Sequence, residues 1–188
     1  MRHPEVFIIP VLMLADYFMT VWGAILAERK YRQHFKIEHY ELNPLWQKHI
    51  RQKKWFNPKH LALVALMTAF CFLLSSGLTA GDFVSQGLFG YLTILFASVI
   101  GTHLNNILLF SYLDRNPGSI SGEVTMSHTM MLSMAQFRVF GLLFVLGLLA
   151  IFSPTPFVIG GLLSQVAVVF VKWAWLVKAK AAERKKSS

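Results

Sequence analysis

The chain has 188 residues, of which 55% are hydrophobic and only 14% are charged, and its mean hydropathy is +0.50. Soluble domains carry about 25% charged residues, so this composition excludes a soluble globular protein and equally excludes an intrinsically disordered one. The formal net charge of +9, from 18 Lys and Arg against 9 Asp and Glu, lies mostly between apolar segments, a pattern that indicates membrane topology and argues against nucleic-acid binding.

Five segments are apolar over the roughly 20 residues that a membrane-crossing helix needs. We therefore predict an all-α, polytopic membrane protein that forms one transmembrane domain over residues 1–188, with transmembrane helices at residues 6–26, 60–78, 87–113, 130–152 and 157–177. The first segment carries its positive charges after its apolar stretch, which favours a retained helix over a cleaved signal peptide. In the last segment, the pair Gly160-Gly161 predicts a packing or kink point.

Lys and Arg are distributed unevenly among the connections. Nine lie in the loop of residues 27–59 and five in the tail of residues 178–188, whereas the remaining connections together hold one, Arg115. Because basic loops stay on the cytoplasmic side, this distribution predicts a multi-pass protein of the cell (inner) membrane with its N-terminus outside and its C-terminus inside.

The dipeptide Asn-Pro occurs at residues 43–44, 57–58 and 116–117. Asn is a good N-cap and Pro suits the first helical position, so each pair predicts a helix start. The first would open a short helix to about Lys54, with Trp46 on its apolar face, that lies flat on the cytoplasmic surface. Its basic side chains either set topology alone or also bind anionic lipid, and the residues predicted to do so are Lys48, Arg51, Lys53 and Lys54.

Several polar side chains lie inside the predicted spans, where a charge costs about 2.5–3.5 kcal/mol and therefore faces the bundle interior or lines water. The predicted substrate or ion pathway consists of Asp16, Thr20, His103, Asn106, Arg138 and Gln165. Because Asp16 and Arg138 would each be expensive alone, we predict an intramembrane salt bridge between them. That pair could be functional, or it could be a structural ion pair with no further role.

Further polar residues are predicted at the cytoplasmic mouth of this pathway, and they are His39, Glu41, Asn43, Glu123 and His128. Together with His103, some of them could hold a metal contributed by separate helices. Their spacings match no helical metal motif, so the simpler interpretation is a set of hydrogen-bonded polar residues at the membrane boundary.

Asp16-x-x-x-Thr20 followed by Glu41-x-Asn43-Pro44 resembles the hallmark of a family of small prokaryotic polytopic membrane proteins of unknown function. That family has Asp-x-x-x-Thr in its first helix and Glu-x-Asn-Pro before its second, usually with a shorter loop between them. The resemblance covers roughly residues 10–46. It implies that Asp16, Thr20, Glu41 and Asn43 act together near the inner surface, and it implies no activity.

Three functions fit these patterns. The first is permeation or transport of a small ion or solute through a cytoplasm-facing polar cavity, in a homo-oligomer because five helices are few for a monomeric carrier. The second is an accessory or scaffold subunit of a larger membrane complex. The third is an intramembrane metal-dependent hydrolase, with His103 or His128 as ligand and Glu41 or Glu123 as base. The first is preferred because midplane polar groups usually mark functional sites.

Overall fold

The computed structural model describes residues 7–37, 41–43, 46–76 and 82–187. Its helices are α1 (Ile8–Leu26), α2 (Arg32–His34), α3 (Gln47–Arg51), α4 (Pro58–Ser76), α5 (Asp82–Arg115), α6 (His128–Phe152) and α7 (Pro156–Ser187). A π-helical turn, Ala27–Tyr31, continues α1, and a 3₁₀ turn, Pro117–Ser119, follows α5. The predicted all-α class is therefore confirmed.

One small strand pair was not predicted. Strands β1 (Phe35–Ile37) and β2 (Val124–Met126) are parallel, with Phe35 opposite Val124 and Ile37 opposite Met126. Their sequences are too short for strand periodicity to be visible, so only the approach of the two loops forms this ladder.

Four helices are long and apolar enough to cross a membrane by length and composition: Ile8–Arg29, Asp82–Arg115, His128–Phe152 and Pro156–Arg184. They correspond to four of the five predicted spans. The apolar helix Pro58–Leu73, in the region of the other predicted span, is shorter. Large apolar side chains such as Phe137, Phe144 and Phe152 are exposed on α6, as expected where lipid replaces water as the solvent. Length, composition and exposure together suggest a membrane-embedded protein, while the count of five spans stays a prediction.

The long helices pack as a row. Helix α5 contacts α1 on one side and α7 on the other, α4 packs against α1, and α6 packs against α7. The buried apolar residues follow the same order, since Ile9 of α1 and Cys71 of α4 share a cluster that Phe89 of α5 also contacts. The order of the helices in the row is therefore α4, α1, α5, α7, α6, which is not their order in the chain.

Contacts join the loop after α1 to the connection between α5 and α6. The β1–β2 pair links them, Arg29 lies 3.1 Å from Asp114, and Lys36 lies 3.5 Å from Glu123. Thr129 at the start of α6 shares a surface depression with Arg184 near the end of α7. We call this region, formed by residues 27–37, 41–43, 46–57, 114–129 and 178–187, the basic end.

The helix starts agree in part with the Asn-Pro pattern. The side-chain oxygen of Asn57 accepts hydrogen bonds from the backbone N–H groups of Lys59 (3.1 Å) and His60 (3.4 Å), so Asn57 caps α4 as predicted. After Asn116 only the 3₁₀ turn forms. Helix α6 begins later, where the Ser127 hydroxyl accepts from the N–H of Met130 at 3.1 Å, a cap that the sequence pattern missed.

The predicted surface helix is present but is shorter than expected. Helix α3 has five residues, and its apolar face packs on α1, with Ile50 only 2% exposed against Tyr17. The Tyr17 hydroxyl donates a 2.6 Å hydrogen bond to the carbonyl of Lys54, which fastens the following segment to α1. Lys48 and Arg51 point away from this contact and are exposed. The amphipathic pattern therefore gave the correct buried face.

Glycines allow α5 and α7 to touch through their backbones. A Cβ atom built on Gly160 would overlap the carbonyl oxygen of Gly87, and one built on Gly90 would overlap the carbonyl of Phe157. A Cβ on Gly161 would stand 2.7 Å from the Ile94 side chain. Small residues let helices approach this closely, so Gly160-Gly161 is a packing point, one of the two roles predicted for it.

Candidate functional site: a polar cluster between α1 and α5

The polar cluster consists of Asp16, Thr20, His103 and Glu41. Asp16 and Thr20 are four residues apart on α1, so both face α5, where His103 lies opposite them. The Nε2 atom of His103 is 2.9 Å from the Thr20 hydroxyl oxygen and 3.2 Å from Oδ1 of Asp16. The side chains of His103 and Asp16 are 12% and 25% exposed, so this contact is largely enclosed by the two helices.

The hydrogen bonds of Thr20 assign the tautomer of His103. The Thr20 hydroxyl donates its one hydrogen to the main-chain carbonyl of Asp16 at 2.7 Å. It can therefore only accept from His103, which means that Nε2 carries a hydrogen. In the neutral ring, Nδ1 is then the bare nitrogen.

Two buried atoms in the polar cluster have no hydrogen-bond partner among the residues that the structure describes. They are Nδ1 of His103 and Oδ1 of Asp16. The 3.2 Å contact between Oδ1 and Nε2 is a charge contact without hydrogen-bond geometry. Buried polar atoms are normally paired. Each of these two atoms can therefore still accept a hydrogen bond or a proton.

Glu41 is a second acid in electrostatic range of this contact. Its Oε1 accepts a 2.7 Å hydrogen bond from the backbone N–H of Asn43. Burial raises the pKa of Glu41, the Asn43 hydrogen bond and the charge of His103 oppose that rise, and the charge of Asp16 adds to it. Glu41 therefore lies within electrostatic range of both Asp16 and His103.

The predicted salt bridge between Asp16 and Arg138 is wrong. Asp16 contacts His103, whereas Arg138 lies exposed on α6. Burial raises the pKa of the Tyr31 phenol, and the Arg138 guanidinium partly opposes that rise. Arg138 is therefore within electrostatic range of Tyr31, which lies beyond the end of α1. The reason is the order of the row, in which α6 packs on α7 while α1 packs on α5.

The other predicted pathway residues lie around this centre. Gln165 is fully buried on α7, and its amide N–H donates to the hydroxyl of Ser164 on the same helix at 3.2 Å. Asn106 lies on α5, three residues beyond His103, and is partly buried. The Lys172 amine donates to the carbonyl of Ala135 at 3.2 Å and so joins α7 to α6. Gln165 therefore bonds along its own helix instead of reaching His103.

The residues predicted at the cytoplasmic mouth do not form one group. His39 lies outside the described residues. Glu123 forms a surface ion pair with Lys36, and His128 is the first residue of α6. Within residues 7–37, 41–43, 46–76 and 82–187, no three His, Cys, Asp or Glu side chains are arranged to hold a metal ion.

Sequence reasoning missed His60. Its ring stacks on Tyr17, with centroids 4.6 Å apart and planes inclined by 20°, and its Nε2 donates to the carbonyl of Met13 at 3.2 Å. Asp16, which lies on α1 together with Met13, is within electrostatic range of His60. The only sequence signal was a histidine in the first turn of an otherwise apolar helix, next to the Asn57 cap.

Comparison of the chain with protein-family models, with curated proteins and with solved structures finds no match. The fold and the polar cluster therefore define this molecule only as far as a class, a helical protein suited to a membrane. The resemblance carried by Asp16, Thr20, Glu41 and Asn43 stays a prediction.

Proposed function

We propose that this protein is a multi-pass protein of the cell (inner) membrane that moves a small ion or solute across the bilayer along the polar cluster. The observation that carries the proposal is the contact of Asp16 with His103 between two apolar helices, where both keep a buried polar atom without a hydrogen-bond partner among the described residues. Ionisable side chains within membrane helices are rare, and they usually mark ion or substrate pathways.

The proposed topology has five crossings, with α4 as the crossing that is shorter than the others. The N-terminus is outside, and the basic end is in the cytoplasm. The support is the Lys and Arg count of the loops, together with the contacts that join residues 27–57 to residues 114–129 at one end. Basic loops are retained on the cytoplasmic side.

The proposed working form is a homo-oligomer. The helices pack as a row, and the outer helix α6 exposes large side chains including Phe140 and Phe144. A second copy that packs on these side chains would cover apolar surface at the end of the row.

Flux measurements test this function. Purified protein is reconstituted into lipid vesicles, and uptake of H⁺, Na⁺, K⁺ and Cl⁻ is followed with encapsulated dyes. We expect the wild type to move at least one of these ions and H103Q to lose that flux. The matched control is H34Q, because the His34 ring is bonded at 3.0 Å to the Gly122 carbonyl at the basic end, away from the polar cluster. A wild type that moves none of them, or an H103Q variant with full flux, contradicts the proposal.

An accessory subunit of a larger membrane complex is the second proposed function. The wide apolar surface of α6 favours it, since exposed rings such as Phe137 and Phe152 could pack on helices of another protein as well as on lipid. Co-purification with one partner in fixed ratio, together with an unchanged phenotype for D16N, would support this function over transport. The hydrolase has less support, because the described residues offer no group of three metal ligands.

The proposed lipid contact is narrower than the four basic residues predicted. Lys48, Arg51 and Lys54 are exposed beside the buried face of α3, whereas Lys53 forms an ion pair with Glu28. Each basic side chain near an anionic surface contributes up to about 1 kcal/mol. We expect K48Q/R51Q/K54Q to weaken quenching of tryptophan fluorescence by brominated anionic lipid in mixed vesicles. K53Q should change it less, and equal losses would contradict this assignment.

A further inference from the structure

We infer that the ion carried by the polar cluster is the proton, passed through the imidazole of His103 to the carboxylate of Asp16. This inference rests on the proposed transport function and names its substrate. It depends on the two enclosed atoms that are without a hydrogen-bond partner among the described residues, Nδ1 of His103 and Oδ1 of Asp16, each of which can accept a proton.

Metal cations do not fit the polar cluster. The Thr20 hydroxyl already donates to the Asp16 carbonyl and accepts from Nε2 of His103, and Oδ1 of Asp16 lies 3.2 Å from that same nitrogen. Na⁺ and K⁺ need several oxygen ligands directed at one point, and here a hydrogen-bond donor occupies the space between the oxygens. Anions fit poorly for the opposite reason, since they would meet the carboxylates of both Asp16 and Glu41.

A proton can pass because it does not need the space of an ion. A proton that binds the lone pair of Nδ1 gives an imidazolium ion. The Nε2–H group then turns from the Thr20 hydroxyl toward Oδ1 of Asp16, 3.2 Å away. The N–H bond breaks, its electron pair stays on the ring, and the proton joins a lone pair of Oδ1. The products are a neutral ring protonated on Nδ1 and a neutral carboxylic acid. After Asp16 releases its proton, the ring rotates, so that the bare Nε2 takes up the next proton and the Nδ1–H bond breaks to pass its proton on to Asp16. Two successive transfers therefore restore the starting tautomer, and one proton moves in each transfer.

Glu41 lies within electrostatic range of this site. Burial raises its pKa, so Glu41 holds a proton at higher pH than an exposed glutamate does. Charged and titratable groups act on the cluster from each neighbouring element. Asp16 of α1 is within electrostatic range of Glu41 and of His60 of α4. Lys172 of α7 is within electrostatic range of Glu41 and of Arg138 of α6.

The test compares proton uptake with cation uptake in the same preparation. Vesicles contain the full-length protein and pyranine, and a K⁺ gradient with valinomycin sets an inside-negative potential. Parallel vesicles contain a Na⁺-sensitive dye. We expect the wild type to acidify the lumen without taking up Na⁺, and we expect H103Q and D16N to fall to the rate of protein-free vesicles.

Control variants separate a lost site from a lost fold. D114N removes a surface ion pair with Arg29, eleven residues beyond His103 on α5, and should keep the wild-type rate. If H103Q or D16N does not keep the helical circular dichroism and elution volume of the wild type, T20V provides the second variant. It keeps both titratable groups but removes the hydroxyl that orients Nε2, and we expect slower proton uptake.

The outcomes distinguish the two proposals. Na⁺ uptake by the wild type without acidification overturns the proton assignment and leaves transport standing. Full acidification by folded H103Q also overturns the proton assignment. No flux of any ion in the panel overturns both proposals together.

Discussion

The two sides of α5 are built in opposite ways. Toward α7, the helices meet through Gly87, Gly90 and Gly160, so closely that a Cβ atom at either of the last two would overlap a backbone carbonyl. Toward α1, they meet through His103 and Asp16, with buried polar atoms that the described residues leave without hydrogen bonds. The contact with α7 is tightly packed and apolar, whereas the contact with α1 has apolar clusters on both sides of an incompletely bonded polar pair.

This difference indicates that the contact of α5 with α7 contributes close packing, whereas its contact with α1 holds the polar cluster. In a lipid environment, helices associate by close van der Waals packing and by hydrogen bonds, because lipid is as apolar as the side chains. The glycine contact supplies the close packing and fixes α5 against α7. The polar contact can then leave atoms unbonded, which would be destabilising if it were the only contact that held α5.

The largest expected effect comes from adding one methyl group to the glycine side. Gly160→Ala forces a Cβ atom against the Gly87 carbonyl, and a backbone atom cannot move aside as a flexible side chain does. Overpacking of this kind costs about 1–3 kcal/mol, and we expect the upper part of that range. Reversible unfolding in mixed micelles measures the loss.

The matched control for that substitution is Gly141→Ala on α6. A Cβ at Gly141 meets no atom within 4 Å, so only the helix propensity changes, and alanine is favoured over glycine by about 1 kcal/mol. If both alanine variants have the same stability as each other, the close approach at Gly160 does not hold α5 against α7.

A smaller effect is expected when the polar side is broken. A double-mutant cycle with D16N and H103Q should give a coupling energy of about 1 kcal/mol, because even hydrogen-bonded polar contacts between membrane helices rarely exceed about 1.7 kcal/mol. A second cycle with D16N and R138Q should give a coupling near zero, since Arg138 lies exposed on α6. If the coupling energy of Asp16 with Arg138 were larger than that of Asp16 with His103, the result would support the ion pair predicted from the sequence.

The smallest effect concerns pH and Glu41. Burial raises the pKa of Glu41, so the folded state binds its proton more tightly than the unfolded chain does. Stability therefore falls as pH rises from the ordinary pKa of glutamate through the raised value. We expect E41Q to match the wild type at about pH 4 and to exceed it at about pH 8 in thermal unfolding.

The control for this pH dependence is E123Q. The Glu123 carboxylate is on the surface beside Lys36, where solvent screens its charge, so its removal should change stability little at either pH. A wild-type stability that rises with pH over this interval, with E41Q following the same curve, would contradict the burial of Glu41 against the polar cluster.

Patterns along the chain predicted what depends on neighbours in sequence. The apolar stretches gave the long helices, Asn57 gave the start of α4, and the spacing of Asp16 and Thr20 gave their shared face. The buried side of α3 also followed from periodicity, with Ile50 turned inward. The Ser127 cap and the β1–β2 pair were missed because their signals are only a few residues long.

Partners across helices could not be predicted in the same way. Asp16 was matched to Arg138 because depth in a span and opposite charge were the only criteria that a single sequence offers. The row of helices put His103 next to Asp16 instead, and it set Glu41 within electrostatic range of both.

The sequence by itself determined the class of this protein, because apolar length, scarcity of charge and loop charges act locally and add up along the chain. Tertiary structure alone decided which ionisable groups meet. Helix order depends on where small residues permit close packing, as at Gly87 and Gly160, and no periodicity along one helix records which helix lies beside it.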